Sequence, residues 1–429
     1  MKFAIFHIYI RLKYSALFKD SFWALTGSVI GKGLSLLAGI FIARFLGKET
    51  FGEYGVIKNT LVYISIVSTF GFGYTATHFI AKNIINEKNN IYTIVNGIYI
   101  ITLSVSIVLS LFLFTFAKPI SIFIEAEQLA DSLRTFSITI IFNAICTSQI
   151  GILSGFKAFK EIAKNNTYSG IIVFVLSIIL TYYYNINGAI FALLASFVFQ
   201  TIINVFSIHK YLKSYNKIIQ NLWPKIKTMC NFSLPVALQE SLYSIIHWLS
   251  IYLLLKYGNY GEIGILSAAN QWSAMVIFIP GVLKNVMFSY LSSAKEHTNL
   301  INRLLTINFI ATILPFSFVI LFSDFISSFY GTTFANLKPV LIVSVFSSIF
   351  VCLSEVYCYE FISIGKTWLV FYMRLARDII ILFFSFIFFT IYSQNQALIL
   401  VTVTTIMSII YLFLLAMYYY RNKFKRILK

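Results

Sequence analysis

Charge is what this 429-residue chain has least of. Asp, Glu, Lys and Arg together make up 11% of it, against about a quarter in an ordinary soluble domain. A soluble globular surface cannot be assembled from so little. Loop is nearly as scarce: connections such as "YNING" (184–188) and "SQNQ" (393–396) only turn the chain around. The longest polar stretch, roughly 210–228, is too short to fold as a soluble domain. Cysteine is limited to Cys146, Cys230, Cys352 and Cys358, with no CxxC and no histidine at ligand spacing. That excludes a zinc or redox motif and leaves them as buried apolar filler. No Walker A sequence is present for ATP, and neither GxSxG nor HExxH occurs. No enzyme is expected, so active transport would draw on an ion gradient or on consumption of its product.

What is there is apolar. Hydrophobic residues make up 59% and mean hydropathy is +0.83, so the chain reads as an all-α, polytopic membrane protein. One crossing needs about 20 apolar residues. In those units there are about twelve segments, near 22–46, 53–81, 91–117, 133–155, 166–184, 187–209, 231–255, 263–291, 304–323, 338–362, 367–392 and 396–420. The runs are continuous rather than alternating, which excludes a β-barrel.

Lys and Arg fall unevenly between alternate loops. One set, which includes both termini and the 210–228 stretch, carries about 22, and the other carries about five: Lys48, Lys118, Arg134, Lys256 and Lys338. The bias places both termini in the cytoplasm and requires an even number of spans. Basic loops facing anionic lipid also account for most of the +18 net charge, with no call for nucleic acid. Residues 1–21 read as a retained, basic interfacial segment.

The chain also matches itself at an offset of about 210. "FGEYGV" (51–56) corresponds to "YGEIGI" (260–265), "SGFKAF" (154–159) to "IGKTWL" (364–369), and "SFWALTGSV" near 21 to "NFSLPVALQ" near 231. The expected organisation is two parallel six-helix lobes, 22–209 and 229–420, around a central cavity. A cytoplasmic linker (210–228) joins them and a basic cytoplasmic tail (421–429) follows.

The turn "ARFLGKETFGEYG", "GFGYTATHFIAKN", "ILSGFKAFKEIAKNN", "FSLPVALQE" and "ILSAANQWSAMVIFIPGVL" together resemble the polysaccharide flippases of the multidrug/oligosaccharidyl-lipid/polysaccharide exporter (MOP) superfamily, and within it the Wzx-type O-antigen translocases. The resemblance covers nearly the whole chain. It implies movement of an undecaprenyl-diphosphate-linked oligosaccharide, of O-antigen or capsule type, from the cytoplasmic to the periplasmic leaflet of a bacterial inner membrane. Alternating access around a cationic cavity is implied too. Membrane lipid and the polymerase and chain-length regulator of the same pathway are the partners it implies.

Charged groups inside spans are costly and mark function. Lys32 lies roughly 15 Å into the first span, on a face shared with Ser28, Ser35 and Gly39; it either lines the cavity or pairs with a carboxylate on another helix. Arg44, near the other end of that span, has Glu49 and Glu53 close by and reads as interfacial. Lys58 shares a face with Ser65 and Thr69, and Lys284 has no acidic neighbour within a turn; both are candidate cavity cations. Glu240, Tyr243, Ser244 and His247 form one helical stripe. It can carry a coupling ion, proton or sodium, or serve as a packing stripe, or Glu240 can be the counter-ion of Lys32. Arg374, Arg377 and Asp378 sit together, with Arg374 and Asp378 at pair spacing, and a hairpin about Gly365 brings Glu355 to the depth of Arg374. These charges neutralise one another, or a displaced arginine binds phosphate bidentately, with Asp378 a further candidate for ion coupling. No cofactor is expected. A drug or cation antiporter of the same superfamily and a membrane-embedded polymerase, ligase or acyltransferase remain as alternatives. The first should carry acidic cavity residues and the second a large periplasmic loop.

Overall fold

The computed structural model describes residues 16–86, 90–123, 127–217, 219, 222–293, 297–364 and 366–427. All elements among them are helical: α1 (Ala16–Ser68), α2 (Phe72–Asn86), α3 (Ile91–Phe123), α4 (Ala130–Phe136), α5 (Thr139–Gly155), α6 (Phe159–Leu212), α7 (Leu222–Tyr257), α8 (Tyr260–Ser293), α9 (His297–Leu321), α10 (Ser323–Phe329), α11 (Leu337–Ser363), α12 (Thr367–Ile391) and α13 (Gln396–Ile427), with two single 3-10 turns. Apolar runs this long leave backbone N–H and C=O groups no water partner, and only the helix satisfies them within the segment. Of the terminal and linker stretches, residues 1–15, 218, 220, 221, 428 and 429 lie outside the described residues.

Among the described residues six stretches are long and apolar enough to cross a bilayer, and the pair α4–α5, bent by 48°, makes a seventh. Val29–Ile84 and Phe159–Leu212 run to 56 and 54 residues, roughly 80 Å of straight helix, more than twice the hydrocarbon thickness. Each therefore folds back. In α1 the break is at Gly47 (φ 71, ψ 172), and in α6 at Asn185 (φ 50, ψ −132). Gly47 takes a backbone conformation that a Cβ would disfavour. Helices α7, α8 and α12 have the length, but α12 carries Arg374, Arg377 and Asp378 in every window long enough to cross. Counting both legs of α1 and of α6 raises these apolar stretches from seven to nine among the described residues.

The chain forms two compact units. The first comprises Met1–Ala38 and Ile57–Ile245, the second Gly39–Val56 and Ile246–Lys429. They differ from lobes at 22–209 and 229–420 in two places. The hairpin around Gly47 belongs with the C-terminal half, and α7 as far as Ile245 belongs with the N-terminal half.

In the first unit the core joins Phe72, Ala76 and Ile80 of α2 to Ile94 and Ile98 of α3, Ile152 of α5 and Met229 of α7. Glycine permits the closest approaches. A Cβ at Gly170 would stand 2.7 Å from the Gly31 Cα, so the first leg of α1 and α6 cross with backbones nearly touching. In the second unit Ile301 and Leu304 of α9, Val356 and Phe361 of α11, Val370 of α12 and Leu415 of α13 make the core. There the repeated motifs meet. Gly52 of "FGEYGV" packs on the Tyr260 carbonyl, Gly264 of "YGEIGI" packs on the Lys48 carbonyl, and a Cβ at Gly55 would meet Ser267 Oγ at 2.6 Å.

Candidate functional site

The first leg of α1 presents distinct faces. Gly31 is buried against Asn166 of α6. Val29, Ile30 and Leu37 form an exposed apolar face, while Lys32 and Ser35 lie exposed between that face and the α6 contact. Ser35 Oγ donates to the Gly31 carbonyl, which removes its own need for a partner.

The remaining sequence candidates are placed less uniformly. Lys58 is half-buried, but Ser65 and Thr69, expected to share an open face with it, are buried and donate to the Leu61 and Ile66 carbonyls. The expected stripe along α7 is divided. Glu240, Tyr243 and Ser244 belong to the first unit and His247 to the second; Ser244 is buried and donates to the Glu240 carbonyl, while Tyr243 is exposed. The side chain of Lys284 lies outside the described residues. Arg44 is exposed, and its expected neighbour Glu49 lies 4.0 Å from Lys48 instead.

The charges of the second unit are brought together. Arg374 Nη2 reaches both oxygens of Glu355, at 2.6 and 2.7 Å, across the α11–α12 hairpin. Asp378 does not take Arg374, its partner by i, i+4 spacing. It accepts from Arg377, at 2.7 Å from both Nε and Nη2, because Glu355 already occupies Arg374. The Arg377 guanidinium lies 4.9 Å over the Tyr411 ring of α13, and Tyr411 Oη is 3.3 Å from Cys358 Sγ. His247 of α7 is within electrostatic reach of Asp378 and Arg377. Two cations and two carboxylates therefore form one chain of contacts across α11, α12 and α13, with the His247 imidazole of α7 within electrostatic reach.

Sequence reasoning that followed charge missed the amides. In the first unit Asn165 donates to Asn204 Oδ1 at 2.8 Å and to Ser207 Oγ at 3.0 Å, Gln200 donates to Asn166 Oδ1 at 2.9 Å, and Gln149 donates to Tyr99 Oη at 3.3 Å. These bonds join α3, α5 and both legs of α6 where no water competes. Five uncharged amides inside apolar runs were the signal available. Two cysteines are likewise more than filler: Cys146 Sγ accepts from Asn204 and Cys358 joins the Tyr411 contact. Among the described residues no cluster of three His, Cys, Asp or Glu side chains suits a metal ion.

A family model described as "Polysaccharide biosynthesis protein" matches residues 17–293. No curated protein sequence matches the chain. Among solved structures it is similar to an inward-facing multidrug resistance MATE family transporter of the MOP superfamily, at 15% identity and a TM-score of 0.75, over 92% of this chain and 97% of that one. It is similar to the lipid II flippase MurJ in an inward closed conformation, at 17% identity and a TM-score of 0.71, over 91% and 86%. A MOP superfamily transporter from Pyrococcus furiosus, whose binding pocket is described as reversed in polarity, gives 15% identity and a TM-score of 0.69, over 92% and 94%.

Proposed function

The chain belongs to the polysaccharide biosynthesis protein family and is a multi-pass membrane protein with the fold of MOP superfamily transporters, and from that premise we propose that it flips a diphosphate-linked oligosaccharide lipid, of the O-antigen or capsule-repeat class carried on undecaprenol, from the cytoplasmic to the periplasmic leaflet of a bacterial inner membrane. It is a carrier rather than a catalyst, with both termini cytoplasmic, and it hands its product to the polymerase and chain-length regulator of its pathway. The observation that carries this reading is Lys32. It is a charged residue at mid-span depth in the first leg of α1, exposed like Ser35 one turn along. A diphosphate brings about two negative charges, which must cross a layer of low dielectric, and a cation in a wet, protein-lined cavity lowers that barrier. Lys58 and Lys284 supply further positive charge, whereas Arg374 and Arg377 are balanced by Glu355 and Asp378. This sign favours an anionic lipid over the cationic drugs of an antiporter.

The test is export of surface glycan in a deletion strain. Lys32→Ala at normal protein abundance abolishes export, and Lys32→Arg retains part of it. Full export by Lys32→Ala would sink the reading. So would restored export in the double change Lys32→Ala with Glu240→Gln, because the lysine would then have served only to neutralise that carboxylate. Accumulation of the lipid-linked glycan on the cytoplasmic face of the deletion strain identifies the sugar repeat.

A further inference from the structure

The two arginines of α12 are held differently. Arg374 grips both oxygens of Glu355, with Tyr359 and Cys358 of α11 in contact beside the pair. Arg377 grips one oxygen of Asp378, Oδ1, with both Nε and Nη2, so the other carboxylate oxygen is where a second cationic donor would be received. The face of the Arg377 guanidinium rests on Tyr411, which keeps it in place if Asp378 lets go. His247 comes from a different helix and interacts with both members of this pair.

We propose that His247 is the proton site of a switch that hands Arg377 from Asp378 to a phosphate of the transported lipid. This rests on the flippase reading above and adds its coupling chemistry. With the imidazole neutral, Arg374, Glu355, Arg377 and Asp378 sum to zero charge. A proton on His247 gives Asp378 a new cationic partner and brings the cluster to net +1, and Arg377 is released with its two-pronged edge open to a phosphate. No covalent bond changes: one proton is taken up from water and one ion pair is exchanged for two. The groups facing His247 are Asp378 and Arg377 of α12, with Tyr411 of α13 behind Arg377 and Glu355, Cys358 and Tyr359 of α11 beyond Arg374. On its own helix Tyr243 stands one turn before it, and Tyr252 follows, stacked on Trp248.

Linkage makes the exchange reciprocal: if a proton strengthens diphosphate binding, diphosphate binding draws in a proton. A diphosphate esterified at both ends has no group that titrates near neutrality, so any pH dependence belongs to the protein. Binding then strengthens as pH falls through the range in which His247 gains its proton.

The experiment uses the full chain in detergent and a short-chain dialkyl diphosphate diester as probe. Calorimetry at about pH 5.5 and pH 7.5 reads affinity, and a dye in weak buffer reads proton uptake. The wild type should bind roughly tenfold more tightly at the lower pH and take up a fraction of a proton approaching one per site. His247→Gln should bind equally at both pH values with no uptake, and Asp378→Asn should bind tightly at both. Wild-type binding without pH dependence or proton uptake overturns the switch and leaves the flippase reading standing. PH dependence that survives in His247→Gln overturns it as well. Failure of the wild type to bind the diester at either pH overturns the substrate class, and the switch with it. Proton uptake is measured on the wild type, so the proposal stays testable if a variant fails to fold.

Discussion

At the scale of single residues, partner choice is set by competition and not by spacing alone. Asp378 stands at the right interval for Arg374, yet it takes Arg377 because a carboxylate on the next helix holds Arg374 with both oxygens. The Glu355–Arg374 contact itself is legible in the sequence, since a hairpin about residue 365 puts the two at one depth. What cannot be read along a single helix is which of two claimants wins. Glu355→Gln should therefore destabilise the protein by about 1.5–3 kcal/mol, the range for a hydrogen bond to a charged group, seen as a lower midpoint in detergent melting. The double change Glu355→Gln with Arg374→Met should recover most of the loss, because no unpaired charge is left behind. A double variant no more stable than Glu355→Gln alone would mean that the pair contributes packing rather than charge compensation.

Individual helices were legible as apolar runs, but their contacts were not. Lys32 attracts attention as a charge among glycines, yet sequence cannot say that Gly31 faces α6 while Gly33 has open space around it. The same limit hid the division of α7. Periodicity puts Glu240 and His247 on one stripe, while the surroundings of that stripe change between Ile245 and Ile246. The amides of α5 and α6 passed unremarked because hydropathy averages them away among isoleucines. Gly170→Ala tests the crossing: its methyl must displace the Gly31 backbone, a clash of the overpacking kind that costs about 1–3 kcal/mol and should lower the melting midpoint. Gly33→Ala, with nothing within 4 Å, should instead raise it slightly, since alanine favours the helix by about 0.5–1 kcal/mol. Equal effects from both would show that helix propensity, and not contact, governs this segment.

For the whole molecule, topology is the decisive measurement. Reporter fusions after Lys164, Lys217 and Lys366 should read cytoplasmic, and fusions near Tyr184, Asn259 and Gln394 periplasmic; one robust inversion would remove the parallel repeat, because each half must contribute an even number of crossings. The hairpin around Gly47 adds an order of events. It lies against Tyr260, Gly264 and Ser267, which the ribosome reaches only after roughly 200 further residues, about 10–40 s later at 5–20 residues per second. Through that interval the segment carrying Lys48, Glu49 and Glu53 waits without its glycine-lined seat, at the stage when a membrane quality-control protease would meet it. Loss of a single seat glycine, as in Gly264→Leu, should therefore shorten the life of the nascent chain in the cell far more than it slows transport by the molecules that mature.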